Sequence, residues 1–204
     1  GRADRGGRPA QPPVALNLRR ARTMPGHLPG YPPMSKALLV IDLQNDYLEG
    51  GAYPLWNTEA VLASIEAAIA RAQAAGVPVL HVQHVADQAA GIAPFFNAGT
   101  PGVEIHPRIL AAAPEAPVVT KAHADGFVET TLEEELEKLG TTELLVCGMM
   151  TQNCVTHTAI SPSAEFYDVT ILPDCCTTVD EMLHEIALHA VSTRVKLAPS
   201  TEVL

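Results

Sequence analysis

Three residues suited to covalent acyl chemistry, Asp42, Lys121 and Cys154, each fall at or just past the end of a short apolar run. Asp42 directly follows Ala37-Leu38-Leu39-Val40-Ile41, and Lys121 directly follows Val118-Val119-Thr120. Cys154 lies just past Glu143-Leu144-Leu145-Val146-Cys147. A thiol becomes a nucleophile once its proton is removed, and a carboxylate can remove it. An ammonium beside that carboxylate would hold it ionised and oriented. Singly, each residue has an ordinary explanation: Asp42 as a turn cap, Lys121 as a snorkelling surface residue, Cys154 as a small core residue. A carboxylate and an ammonium beside buried strands must, however, be paired or shifted in pKa. Their coincidence with a cysteine favours catalysis. Cys154 is expected in the first turn of a helix, where unpaired N–H groups and the dipole favour a thiolate, although a nearby carboxylate would oppose that ionisation.

The elements that must position these residues alternate between apolar runs and helical patterns. Residues 57–75 predict a helix with Asn57 as N-cap, followed by a strand over 77–82 that tolerates Pro78 at its start. Residues 86–116 are rich in Gly, Ala and Pro and read as a long loop with one helical turn. A strand at 118–120, a charged helix at 130–139 and a strand at 143–147 follow. The next helix begins near Gln152 and is ended or kinked near Pro162. A fifth strand at 169–172, a helix at 180–192 and a short sixth strand at 195–197 complete the chain. The pattern predicts an α/β fold: a three-layer open sheet of about six mostly parallel strands, with helices on both faces. In such sheets ligands bind beyond the carboxyl ends of the strands, where the three reactive groups stand.

Charge narrows the partners. Residues 1–33 hold six arginines against Asp4 (6 − 1 = +5), so residues 34–204 carry seven basic and 22 acidic residues (7 − 22 = −15). So acidic a body repels phosphate backbones, and nucleic acid is excluded as a partner. No apolar run approaches the ~18 residues of a membrane span. The Arg/Pro/Gly-rich leader 1–33 is read as lying outside the core fold, with Met34-Ser35-Lys36 as a natural start of the domain 34–204. Its alternative is an organelle transit peptide. It lacks the apolar stretch of a secretory signal, so a cytoplasmic location and reduced Cys147, Cys154, Cys175 and Cys176 are expected. His81 and His84 lack a third ligand at convenient spacing, so no metal and no cofactor are expected. His81 reads as a buried core histidine, and His84 as a residue that reaches the substrate. Phe95 and Phe96 could lid a pocket that Tyr47 and Trp56 wall. His157, three residues after Cys154, is the alternative base.

Asp42-Leu43-Gln44-Asn45-Asp46-Tyr47, Lys121 with Phe127 six residues on, and Gly148-Met149-Met150-Thr151-Gln152-Asn153-Cys154-Val155-Thr156-His157-Thr158-Ala159 resemble the three signatures of the isochorismatase-like cysteine hydrolases. The resemblance runs from about residue 36 to 204. It implies Asp42 as general base, Lys121 as its support and Cys154 as the attacking thiol. It also implies a cis peptide at Met149–Met150 and an oxyanion hole built from the backbone N–H groups of Met150 and Cys154. Gln44, His84, Phe95 and Phe127 are the expected substrate contacts. The implied activity is hydrolysis of a C–N bond in a small non-peptide amide through a thioester, in a homo-oligomer. Two departures stand out: Met150 where the family often has a small residue, and Asp125 where it commonly has Ser. The Trp-His-Pro segment and Asp/His metal triad of nicotinamidases are missing. Isochorismatase-type vinyl-ether cleavage and non-catalytic binding on the same fold are the alternatives, and Cys154 counts against the first.

Overall fold

Ala37 to Ile41 are at most 1% exposed, so both faces of this run are covered, as in a central parallel strand between two layers. The computed structural model describes residues 35–204, and there the run forms the heart of β1 (Ser35–Ile41). The leader 1–33 and Met34 lie outside the described residues. With β1 stand β2 (Val79–His84), β3 (Val118–Lys121), β4 (Thr141–Met149), β5 (Asp168–Thr177) and β6 (Lys196–Leu197). They form one six-stranded sheet in the order β3-β2-β1-β4-β5-β6, and every pairing is parallel. The chain builds outward from β1 to β3, then returns to lay β4 on the other side of β1. The β1/β4 junction is therefore the switch point at which open α/β sheets make a crevice.

The helices are α1 (Thr58–Ala74), α2 (Pro107–Ala112), α3 (Leu132–Lys138), α4 (Thr156–Ala159), α5 (Glu181–Val191) and α6 (Ser200–Val203). On α1 the residues Val61, Leu62, Ile65, Ala68, Ile69 and Ala72 are buried, the i, i+3, i+4 stripe of a helix laid on a sheet. Right-handed crossovers put α1 and α2 on one face and α3, α4 and α5 on the other. Arg71 of α1 donates to Ser200 Oγ at 2.6 Å and so ties α6 to the first face. No helix among the described residues is long and apolar enough to cross a membrane.

Several boundaries differ from expectation for local reasons. Asn57 stands at the N-cap position of α1, but its φ of 54° is left-handed and its side chain makes no cap bond. Asp180 does cap α5, accepting the Leu183 N–H at 2.8 Å. β5 runs on through Pro173 to Thr177, because the register shift between Val146 and Gly148 accommodates the irregular stretch. The 86–116 segment holds two 3-10 turns as well as α2. Gly148 has a positive φ of 125°, and a Cβ there would lie 2.0 Å from the Ile41 carbonyl oxygen. Only glycine lets β4 press this closely on β1, one residue before Asp42.

Candidate active site

β1 ends in a turn that aims a carboxylate. Asp42 donates its N–H to the Val82 carbonyl at 2.8 Å, and its own carbonyl accepts the Gln44 N–H at 2.9 Å. Its φ is 55°, a left-handed conformation that Asp tolerates better than most residues but that still carries strain. Lys121 ends β3, two strands from β1, a lateral distance of about 10 Å at ordinary strand spacing. A four-carbon stem can cover most of that distance past the end of β2. Nζ arrives 2.9 Å from Asp42 Oδ2, 2.9 Å from His84 Nδ1, 3.2 Å from Cys154 Sγ and 3.2 Å from the His123 carbonyl oxygen. The side chains of Asp42 and Lys121 are both fully buried.

Cys154 lies in a π-helical turn, Thr151–Val155, where the Met150 carbonyl accepts the N–H groups of Asn153 (3.0 Å) and Val155 (3.3 Å). Such widened turns recur at functional sites. The Met149–Met150 peptide before it is cis. Burial first, and then the neighbouring Asp42 charge, push the Cys154 thiol far above its ordinary range, with Lys121 opposing. This corrects the expectation of a helix-activated thiolate: the widened turn leads into an α4 of only four residues, and burial outweighs any dipole. Burial also raises the Asp42 carboxyl, against Lys121, the Cys154 thiol and the His84 backbone, which lower it. The Asp42 oxygen Oδ1 is buried and has no hydrogen-bond partner among the described residues. A neutral thiol thus faces a carboxylate that has one oxygen held by an ammonium and the other available for a proton.

Asp42, His84 and Cys154 offer ligand atoms within 4.8 Å of one another, a donor set that a divalent cation could use. The Lys121 ammonium lies within 2.9–3.2 Å of an atom from each of the three. A metal at that point would have to displace a buried positive charge from its carboxylate. The geometry suits an ammonium cage better than a metal centre.

Other expected residues are placed differently. Gln44 is fully buried, and its amide bridges the His84 carbonyl (2.8 Å), the His84 N–H (2.8 Å) and the Val103 carbonyl (2.7 Å). It clamps β2 to the long loop, with both amide hydrogens spent inside the chain. Phe127 stacks on Tyr167 at 6.2 Å, so its ring is packed against the residue that leads into β5. Phe95 joins Tyr47 (5.1 Å), Tyr53 (5.1 Å) and Phe96 (5.0 Å) in an aromatic cluster that continues to His84. Trp56 packs near His184, and Thr151 hydrogen-bonds that histidine at 2.9 Å. His157 is exposed and its Nδ1 donates to the Asn153 carbonyl at 2.8 Å, away from a base role toward Cys154. Asp125 Oδ1 accepts the Phe127 N–H at 2.9 Å, a turn bond that a serine hydroxyl can also make. His81 is a core residue held by the Ala113 carbonyl at 3.3 Å. All four cysteines are unbridged and buried.

Asp46 was not singled out, yet its carboxylate accepts the N–H groups of Phe96 (2.7 Å) and Ala52 (3.2 Å) and gathers two loops over the site. Its signal was a second acid four residues after Asp42 in a segment with few cations. Gly102 completes that junction, since a Cβ there would fall 1.9 Å from Asp46 Oδ1.

An all-parallel sheet thus carries an Asp–Lys–Cys cluster at its switch point. The isochorismatase domain family matches residues 36–202, and the chain belongs to that family. It is 37% identical over 145 residues to the uncharacterized isochorismatase family protein YddQ of Bacillus subtilis, a match covering 71% of this chain and 79% of YddQ. It is 29% identical over 197 residues to the ureidoacrylate amidohydrolase RutB of Methylobacterium radiotolerans, covering 79% of this chain and 74% of that protein. Among solved structures, an isochorismatase family protein from Desulfovibrio vulgaris superposes with a TM-score of 0.75 at 28% identity, covering 84% of this chain and 97% of the other.

Proposed function

We propose that this protein hydrolyses a C–N bond of a small non-peptide amide through a thioester on Cys154. The observation that carries this reading is the buried Lys121 ammonium, which touches both Asp42 Oδ2 and Cys154 Sγ while Asp42 Oδ1 stays unpartnered. Asp42 takes the thiol proton as Cys154 Sγ bonds to the carbonyl carbon, so the thiolate need exist only during attack. The oxyanion that forms is held by the N–H groups of Met150 and Cys154. In support, the Met150 carbonyl bonds the N–H groups on either side of Cys154, at Asn153 and Val155. One such donor contributes roughly 10²–10³ in rate. Collapse breaks the C–N bond, and the amine or ammonia leaves with the proton held by Asp42. Water, deprotonated by Asp42, then adds to the thioester, which breaks to free the acid and restore the thiol. The four unbridged cysteines suit a reducing compartment, in keeping with a cytoplasmic location.

The test is a panel of small primary amides and ureides assayed for released ammonia, with Cys154→Ala protein as the blank. Turnover of at least one member by the parent and of none by the variant is expected. Ammonia released by the variant at the parent's rate would instead mean that the C–N bond is cleaved without a thioester on Cys154.

A further inference from the structure

His84 is held more firmly than a bystander needs to be. Its backbone is gripped on both sides by the Gln44 amide, with the N–H donating to Oε1 and the carbonyl accepting from Nε2, each at 2.8 Å. Its Nδ1 lies 2.9 Å from Lys121 Nζ. An ammonium has only hydrogens to offer, so Nδ1 must accept and the ring proton must sit on Nε2. Burial, then the Lys121 charge, then His123, push the imidazole down to about 4, which keeps it neutral at ordinary pH. Phe96 flanks the ring at 5.8 Å between centroids. His81 keeps its unpaired Nδ1 sealed in the core, whereas Nε2 of His84 is unpaired among the described residues without being sealed. It is a donor of fixed tautomer that opens outward beside the nucleophile.

We propose that His84 works on both sides: Nδ1 positions Lys121, and Nε2–H binds a second acceptor on the substrate. The preferred substrates are then small amides bearing an acceptor one or two atoms from the scissile carbonyl. The inference rests on the thioester reading above and narrows its substrate class. A carbonyl under attack sits about 3–3.5 Å from the sulfur. One ring nitrogen of His84 lies within 4.8 Å of Cys154 Sγ, and Nε2 belongs to the same ring on the side away from Lys121, so an acceptor one or two atoms beyond the carbonyl falls within its reach. A substrate lacking that acceptor strands the donor on binding, a loss of roughly 10-fold or more in affinity.

Two substitutions separate the roles. His84→Asn keeps an acceptor where Nδ1 stands and removes the outer donor. His84→Gln restores an outer N–H and withdraws the inner acceptor. The probes are acetoacetamide and butyramide, which share a skeleton and differ in one carbonyl. Their dissociation constants are read by ligand-observed NMR on Cys154→Ala protein, alone and with each His84 change. The expected result is a roughly tenfold preference for acetoacetamide that disappears with His84→Asn and survives with His84→Gln. With Cys154 present, His84→Asn should raise KM for an acceptor-bearing amide with the acid limb in place, whereas His84→Gln should lower kcat and move that limb upward. Equal affinities in the His84 protein, or a preference that His84→Asn leaves intact, would overturn the proposal. Ammonia release by the Cys154→Ala protein would sink the thioester reading alone, since the affinity ratio is read without turnover.

Discussion

Replacing Lys121 with Met removes the one cation among the described residues that faces Asp42 at hydrogen-bond distance, 2.9 Å away and fully buried. At that separation two unit charges attract by about 6 kcal/mol at an effective dielectric of ~20, before desolvation is set against it. One pKa unit corresponds to about 1.4 kcal/mol, so even a third of that attraction moves the carboxyl by more than a unit. Burial already holds Asp42 above its ordinary range, and Lys121 opposes burial. The variant's carboxyl must therefore rise further. Activity needs the ionised form and is lost as pH falls through the raised pKa, so the acid limb of kcat/KM should shift upward. At neutral pH the loss should be about 10²–10⁴-fold, the worth of a positioned base. Lys121→Arg should rescue poorly, because a planar fork cannot reproduce contacts to three side chains from one point. Stability gives an independent sign. A carboxyl whose folded pKa exceeds its unfolded value loses stability as pH rises from the ordinary carboxylate range through the raised pKa. Urea unfolding should then show a larger deficit for Lys121→Met at pH 7 than at pH 4. Near-normal activity with an unmoved acid limb and a pH-independent deficit would refute the reasoning.

Gly148→Ala should destabilise the fold by roughly 2–4 kcal/mol in denaturant unfolding, because the added methyl collides with the Ile41 carbonyl at a positive-φ position. An alanine protein as stable as the parent would mean that β4 can move away from β1 at no cost. Exhaustive chelation should leave turnover unchanged, since an ammonium occupies the centre of the Asp42, His84 and Cys154 donor set. Activity lost to the chelator and restored by zinc would reassign those residues.

The sheet and the edge that gathers Asp42, Lys121 and Cys154 were legible because their signals are local. Runs such as Leu38 to Ile41 are apolar without alternation, which only strands covered on both faces require. Asp42, Lys121 and Cys154 stood out because a charge or a reactive thiol beside such runs is costly without partners. What escaped depends on partners distant in the chain. Gln44 looked like a polar residue facing substrate, but its amide meets His84 and Val103, 40 and 59 residues away. Asp46 gathers Phe96, 50 residues on. The protonation of Cys154 was misjudged for a related reason. Helix-dipole logic treats the local turn, while the burial that dominates comes from elements distant in the chain, among them the ends of β1 and β3 that carry Asp42 and Lys121.

The central claim is that Cys154 forms a covalent acyl intermediate. Acid-quenching the enzyme during turnover of a panel amide, followed by intact-mass and peptide mapping, tests it directly. The predicted result is a mass increment equal to the substrate less ammonia or amine, confined to the peptide containing Cys154 and missing from Cys154→Ala protein. An acyl group found on Cys147, Cys175 or Cys176, or steady turnover by the Cys154→Ala protein, would contradict it.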